Sequence, residues 1–152
     1  MNAPLPEKVT KEVVARTYDS VARISNEVAG RLAARLTSET GGEVLFSAAD
    51  RGRYATDASI YQVMPVGVFV PRSAPDVKTA LDICRDMGVP IVPRGAGTSQ
   101  CGQTVNSGLV LDCSKHLRKL VSVEGDVARV QPGITLGALN EALKPHGKFF
   151  PV

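Results

Sequence analysis

Along the first quarter of the chain the apolar residues Val9, Val13, Val14, Val21, Ile24, Val28, Leu32 and Leu36 recur mostly at helical spacing. The pattern predicts helix on either side of a break near Asp19–Ser20, with Ser25 capping the second helix and Glu27 just inside it. Gly41-Gly42 stops the pattern. Residues Phe46 to Met64 are polar and turn-rich and read as an ordered loop. A strand is expected from Val66 to Val70, ended by Pro71. Ser73, three residues before Asp76, resembles a capping box with Asp in the Glu position. Val77, Ala80, Leu81, Cys84 and Met87 then line one helical face, Gly88 caps it, and Val89 to Val92 reads as a short buried strand.

Strand, helix and strand in so short a span make a βαβ unit, whose strands are expected to be parallel with a right-handed crossover. Further on come a strand at Leu109–Leu111 and a hairpin pairing Leu120–Val123 with Val127–Val130 around Glu124-Gly125-Asp126. Thr135 is placed to cap a helix carrying Leu136, Leu139 and Leu143, which Lys144-Pro145-His146-Gly147 ends. The apolar tail Phe149-Phe150-Pro151-Val152 is a poor finish for a soluble domain, so the chain is expected to be cut from a longer protein.

Composition narrows the function classes. The 152 residues suffice for one domain with a hydrophobic core. A net charge of +3, from 18 basic and 15 acidic residues interspersed, is not the clustered basic face of a nucleic-acid binder. Cys84, Cys101 and Cys113 form no C-x-x-C pair, so neither a disulfide framework nor a metal site is expected. Cys84 is expected in the core and Cys101 exposed. No secretory signal or membrane span is visible, and a cytoplasmic protein is expected.

The chemistry is concentrated in Pro93-Arg94-Gly95-Ala96-Gly97-Thr98-Ser99-Gln100-Cys101-Gly102, directly after a strand. Residues with little or no side chain let the backbone approach a ligand closely, and successive N–H groups can converge on an anion. Thr98 and Ser99 add hydroxyls and Arg94 a positive charge. The third glycine of a dinucleotide fingerprint is missing, Gln100 standing in its place, and no helical period follows. A Gly-Lys-Thr/Ser ending is also absent, so a P-loop is excluded. An anion-binding backbone nest and a turn-rich connection without a ligand both remain open on these residues alone.

Taken in order, the Pro93–Ser99 loop, the Leu111-Asp112 pair and Val130-Gln131-Pro132-Gly133 resemble the FAD-binding domain of the vanillyl-alcohol oxidase / p-cresol methylhydroxylase (PCMH-type) superfamily. Within it, the chain is similar to the branch of glycolate oxidase subunits, D-lactate dehydrogenases and D-2-hydroxyglutarate dehydrogenases. Arg53-Tyr54-Ala55-Thr56-Asp57-Ala58-Ser59 resembles the entry to that domain. The resemblance spans roughly the last two thirds of the chain. It implies an α+β fold with a βαβ unit and a short mixed sheet, residues 1–42 forming an N-terminal helical extension and 43–152 the N-terminal portion of the FAD domain.

The resemblance also implies FAD contacts from Arg94, Gly95, Ala96, Gly97, Thr98, Ser99, Gln100 and Gly102, with backbone contacts from Pro132 and Gly133. Thr98 stands where members with covalent flavin carry a His, which implies non-covalent FAD. His116 and His146 are left with solvated or capping roles. No catalytic residue is expected within this chain. The intact enzyme would oxidise a 2-hydroxy acid by hydride transfer to FAD and pass electrons to an acceptor, peripherally at the inner face of the membrane in some settings. Long members add an iron–sulfur domain at the C-terminus. Two other readings stay open: an anion- or nucleotide-binding module without catalysis, and an interaction module, homo-oligomeric or not, burying Val13, Val21 and Leu32 against another subunit.

Overall fold

A computed structural model describes residues 24–151. Val9, Val13, Val14, Val21 and the expected break at Asp19–Ser20 lie outside the described residues. Within them, Ser25 caps helix α1 (Asn26–Glu39), its Oγ accepting from Val28 N–H at 3.2 Å. Strand β1 (Glu43–Leu45) and helix α2 (Ala48–Arg53) follow, then strand β2 (Gly67–Val70) and helix α3 (Ala74–Asp86). Strands β3 (Ile91–Arg94) and β4 (Leu109–Asp112) come next, then the hairpin strands β5 (Leu120–Glu124) and β6 (Val127–Val130). Helix α4 (Leu136–Leu143) and a 3₁₀ turn at Lys144–His146 close the order.

The sheet is mixed, with order β1-β2-β4-β3: β1 is antiparallel to β2, and β4 pairs in parallel with both β2 and β3. The strands of the βαβ unit therefore run parallel but are not neighbours, because β4 inserts between them. Side chains alternate across the central strands. Phe69, Leu109 and Leu111 point to one face, where Leu32 and Leu36 of α1 and Ala80, Ile83 and Cys84 of α3 cover them. Val68, Val70 and Val110 point to the other, with Val92, Leu45 and Tyr54. Both faces are covered, which is why β2 and β4 read as unbroken apolar runs.

Several expectations shift. Residues 46–64 are not all loop: Ser47 caps α2 by accepting from Asp50 N–H at 3.1 Å. Six residues, Gly52 among them, are too few to show a period, and the three-residue β1 is equally silent. The strand expected at Val89–Val92 starts two residues later. Gly88, at φ +65°, and Val89 are taken by the end of α3, where Gly88 N–H donates to Arg85 O and Val89 N–H to Cys84 O. Pro93 fits within β3 because this is an edge strand. On α3, Leu81 turns out to be exposed, 46%, and Ile83 takes its place in the core at 0%. Ser73 Oγ caps α3 by accepting from Asp76 N–H at 3.3 Å, as the capping pattern requires, and the Asp76 carboxylate also accepts from Arg72 N–H and from Gly41 N–H, pinning the chain before β1 to α3.

Leu32 is 0% exposed within this chain, so the interaction-module reading loses that residue to the domain's own core. His116 is neither solvated nor a cap. Its Nε2 lies 2.9 Å from Glu43 Oε1, and Lys115 Nζ lies 2.7 Å from Glu43 Oε2. These bonds tie the edge strand β1 to the segment after β4, and they hold the Glu43 carboxyl down at about 2, Lys115 contributing most and His116 next. A depressed carboxylate stabilises the fold above its ordinary value of 4.5, and that contribution is lost as pH falls toward about 2. Glu43→Gln is therefore expected to be less stable than wild type at neutral pH, with the gap closing through that acid window. Urea midpoints at a series of pH values check this; a constant gap would show that the pair contributes no such linkage.

Candidate functional site

All parallel strands end on one edge of the sheet, and the glycine-rich loop leaves β3 at that edge. No helix follows it; bends and turns fill the chain from Gly95 to Ser107 before β4 begins. This agrees with the exclusion of a Rossmann arrangement. Gly97 and Gly102 have φ of +69° and +77°, and every non-glycine residue described keeps φ negative. A left-handed Gly97 between residues of negative φ is one element of the αR–αL alternation that lets neighbouring amides converge on an anion. Among the described residues, no acceptor is found for the N–H groups of Gly95, Ala96, Gly97, Thr98, Ser99 or Gln100. The loop is largely exposed, and a Cβ at Gly95 would meet nothing within 4 Å. Six consecutive donors without an acceptor among the described residues, around an open glycine, suit a diphosphate.

The side chains divide into open and engaged groups. Thr98 is exposed, without a partner among the described residues. Ser99 Oγ instead closes a local turn, bonding Gln103 Oε1 and accepting from Gln103 N–H, while Cys101 N–H donates to Gln103 Oε1. Gly102 packs on the ring of Tyr61. The Arg94 guanidinium faces inward. Its Nη1 donates to Tyr54 O and Thr104 O, each at 3.4 Å, and its Nη2 to Thr56 O at 2.8 Å. Its Cζ stands 5.4 Å from the centroid of the Tyr54 ring.

Sequence reasoning singled out Arg53–Ser59 and Leu111-Asp112 without assigning them a role, and the fold brings them together beneath the loop. Tyr54 Oη donates to Asp112 Oδ2 at 2.7 Å, and the other Asp112 oxygen accepts from Ser114 N–H at 2.8 Å. Asp112 is buried and fully bonded. Burial and this partner push the Tyr54 hydroxyl up to about 12, so it stays a donor. Asp57 accepts from Ser59 N–H at 2.8 Å and from Thr104 Oγ1 at 3.0 Å, and its carboxyl is held below the ordinary range chiefly by the Ser59 hydroxyl, with these two bonds adding to it. Thr56 and Gln62 form an isolated antiparallel bridge. The segment 54–62 thus forms a brace for the loop.

Pro132 and Gly133 lie near the same edge, joined to it through the segment after β4. Cys113 N–H donates to Arg94 O at 3.0 Å, and Gly133 N–H donates to Leu117 O at 2.8 Å. Gly133 is buried, and a Cβ there would overlap the Cys113 carbonyl and crowd that of Leu117. Its amide is therefore spent on the fold, while Pro132 stays exposed. Cys101 is exposed; Cys84 and Cys113 are buried, and burial pushes the Cys84 thiol up to about 11. No group of three His, Cys, Asp or Glu among the described residues could hold a metal. No helix among them is long and apolar enough to cross a membrane. An apolar groove of about 620 Å³ lies away from the loop, between the hairpin, α4 and Phe149-Phe150.

Residues 65–152 match the family model described as an FAD binding domain. The D-2-hydroxyglutarate dehydrogenase of Escherichia coli is 38% identical over 114 residues, 72% of this chain and 11% of that protein. The glycolate oxidase subunit GlcD of Bacillus subtilis is 37% identical over 120 residues, 74% of this chain and 25% of that protein. The chain thus spans a quarter or less of these relatives. In fold, it is similar to 4-ethylphenol oxidase from Gulosibacter chungangensis at a TM-score of 0.67 and 18% identity, covering 83% of this chain and 26% of that one. A p-cresol methylhydroxylase structure gives a TM-score of 0.64 at 15% identity, covering 82% and 26%.

Proposed function

This chain belongs to the FAD-binding domain family, and on that premise we propose that the loop from Gly95 to Gln100 holds the diphosphate of FAD. The observation that carries the reading is the run of six N–H groups with no acceptor among the described residues, on an open surface with Gly97 in the left-handed region. Gly95 and Ala96 let the diphosphate approach the backbone, and Thr98 Oγ1 supplies a further donor. Pro132 is placed to contribute contact from the neighbouring segment, Gly133 acting as its support. A Thr at position 98 offers no imidazole for a flavin linkage, which favours FAD held without a covalent bond.

When bound, FAD supplies the two-electron chemistry by which the intact protein would oxidise a substrate. The residues described here bind and orient it. The substrate class proposed is a 2-hydroxy acid, on the strength of the relatives' names, D-2-hydroxyglutarate dehydrogenase and glycolate oxidase. An electron acceptor and an iron–sulfur cluster in a C-terminal domain belong to the same proposal for the intact protein. The test is anaerobic mixing of the FAD-loaded intact protein with D-lactate, glycolate and D-2-hydroxyglutarate. Bleaching of the flavin absorbance by at least one, and not by its L-enantiomer where one exists, is expected. Failure of all three to bleach a fully loaded protein would refute the substrate class while leaving the FAD site standing.

A further inference from the structure

Arg94 is the one cation beside the loop in sequence, and an arginine next to a phosphate site invites the reading of a phosphate ligand. Its geometry argues otherwise. A guanidinium has five N–H donors, and it grips a phosphate through two parallel ones on a single edge. Nη1 is committed to the carbonyls of Tyr54 and Thr104, and one Nη2 donor to that of Thr56. The remaining edge, Nε with Nη2, lies under Gly97: a Cβ built there would overlap Nη2 and sit 2.9 Å from Nε. One face is turned to the Tyr54 ring. Three of the guanidinium's bonds thus go to carbonyls of the fold, and its two remaining donors, on Nε and Nη2, lie against Gly97.

We propose that Arg94 is a positioning residue, which together with the Asp57–Thr104 bond fastens the loop to the brace 54–62 and presets its N–H groups for the diphosphate, rather than a ligand of the phosphates. The inference rests on the FAD reading above for its ligand, but not for its geometry. Two anchors reach the loop from the brace. Arg94 grips Tyr54 O and Thr56 O at the start of the loop, and Asp57 holds Thr104 Oγ1 at its end. Gly97 lies over the guanidinium between them, so that only a residue without Cβ leaves the Arg94 fork in place.

The experiment uses the intact protein and FAD titration by flavin fluorescence, with Arg94→Lys, Arg94→Met and Thr104→Val. Lysine keeps the charge but loses the planar fork. Both Arg94 variants are expected to weaken FAD binding roughly tenfold or more, within about threefold of each other, with the salt dependence of the affinity unchanged. Thr104→Val, which removes no charge, is expected to weaken it about threefold or more. Arg94→Lys retaining wild-type affinity, or a flatter salt dependence in Arg94→Met alone, would mark a direct charge on the phosphates and overturn the proposal. Unchanged affinity in Thr104→Val would remove the second anchor. Hydrogen exchange on the flavin-free protein provides an arm independent of FAD: Arg94→Lys should speed exchange at Ala55, Val63 and Val105, whose N–H groups bond within and beside the brace. Wild-type exchange there would also overturn it. If wild-type protein takes up no FAD while the exchange changes as expected, the FAD reading has failed and the brace has not.

Discussion

Gly133→Ala is expected to destabilise the domain by about 3 kcal/mol, at the upper end of what overpacking costs. The new methyl would overlap the main-chain carbonyl of Cys113 and come within 2.8 Å of that of Leu117. Backbone atoms cannot rotate out of the way as a side chain can. Any relief must move the segment from Cys113 to Leu117, whose bonds to Arg94 O and Gly133 N–H fasten the end of β4 to the loop. Loss of stability should therefore come with weakened FAD uptake, even though the Gly133 amide is not free to touch the cofactor. Urea unfolding followed by circular dichroism checks the first part. An unchanged midpoint would mean that the two carbonyls yield more easily than the packing indicates.

Gly97→Val is expected to do the opposite, leaving the fold in place and sharply weakening FAD binding. A β-branched residue at φ +69° is a steric outlier, costing roughly 1–2 kcal/mol locally. Residues 95–103 are largely exposed and none of them belongs to a core cluster, so this strain is released by local rearrangement rather than by unfolding. The rearrangement displaces the Arg94 fork and the converging amides together. A fall in affinity of roughly a hundredfold, about 2.7 kcal/mol, is expected. Gly125→Val is the control: Gly125 has φ +57° in the exposed hairpin turn, away from the loop, and its variant should bind FAD normally. Equal loss in both variants, or in neither, would detach the loop from the cofactor.

These two glycines also mark how far the sequence could be read. Gly97 was legible because its neighbours Gly95, Ala96, Thr98 and Ser99 all pointed to backbone chemistry at one place after one strand. Gly133 was legible only as part of the Val130-Gln131-Pro132-Gly133 resemblance, and its close approach to Cys113 and Leu117 depends on how β4 ends, which no local pattern encodes. The elements with strong periodicity or caps, α1, α3 and α4, stood where Ser25, Ser73 and Thr135 put them. The three-residue β1 and six-residue α2 were too short for either kind of signal. Long-range pairings were hidden for a similar reason. Tyr54 and Asp112 are 58 positions apart, and only the insertion of β4 between β2 and β3 brings them into contact. Arg94 illustrates the remaining gap: its charge was visible in the sequence, but which way the guanidinium turns is decided by three carbonyls contributed from elsewhere in the fold.

The claim on which the rest depends is that this loop holds FAD, and the flavin content of the intact protein tests it most directly. Reconstituted with FAD and freed of excess ligand, the wild-type protein is expected to retain one FAD per chain, released into solution when the protein is denatured, and Gly97→Val far less. A folded wild-type protein that stays colourless after reconstitution would contradict the account.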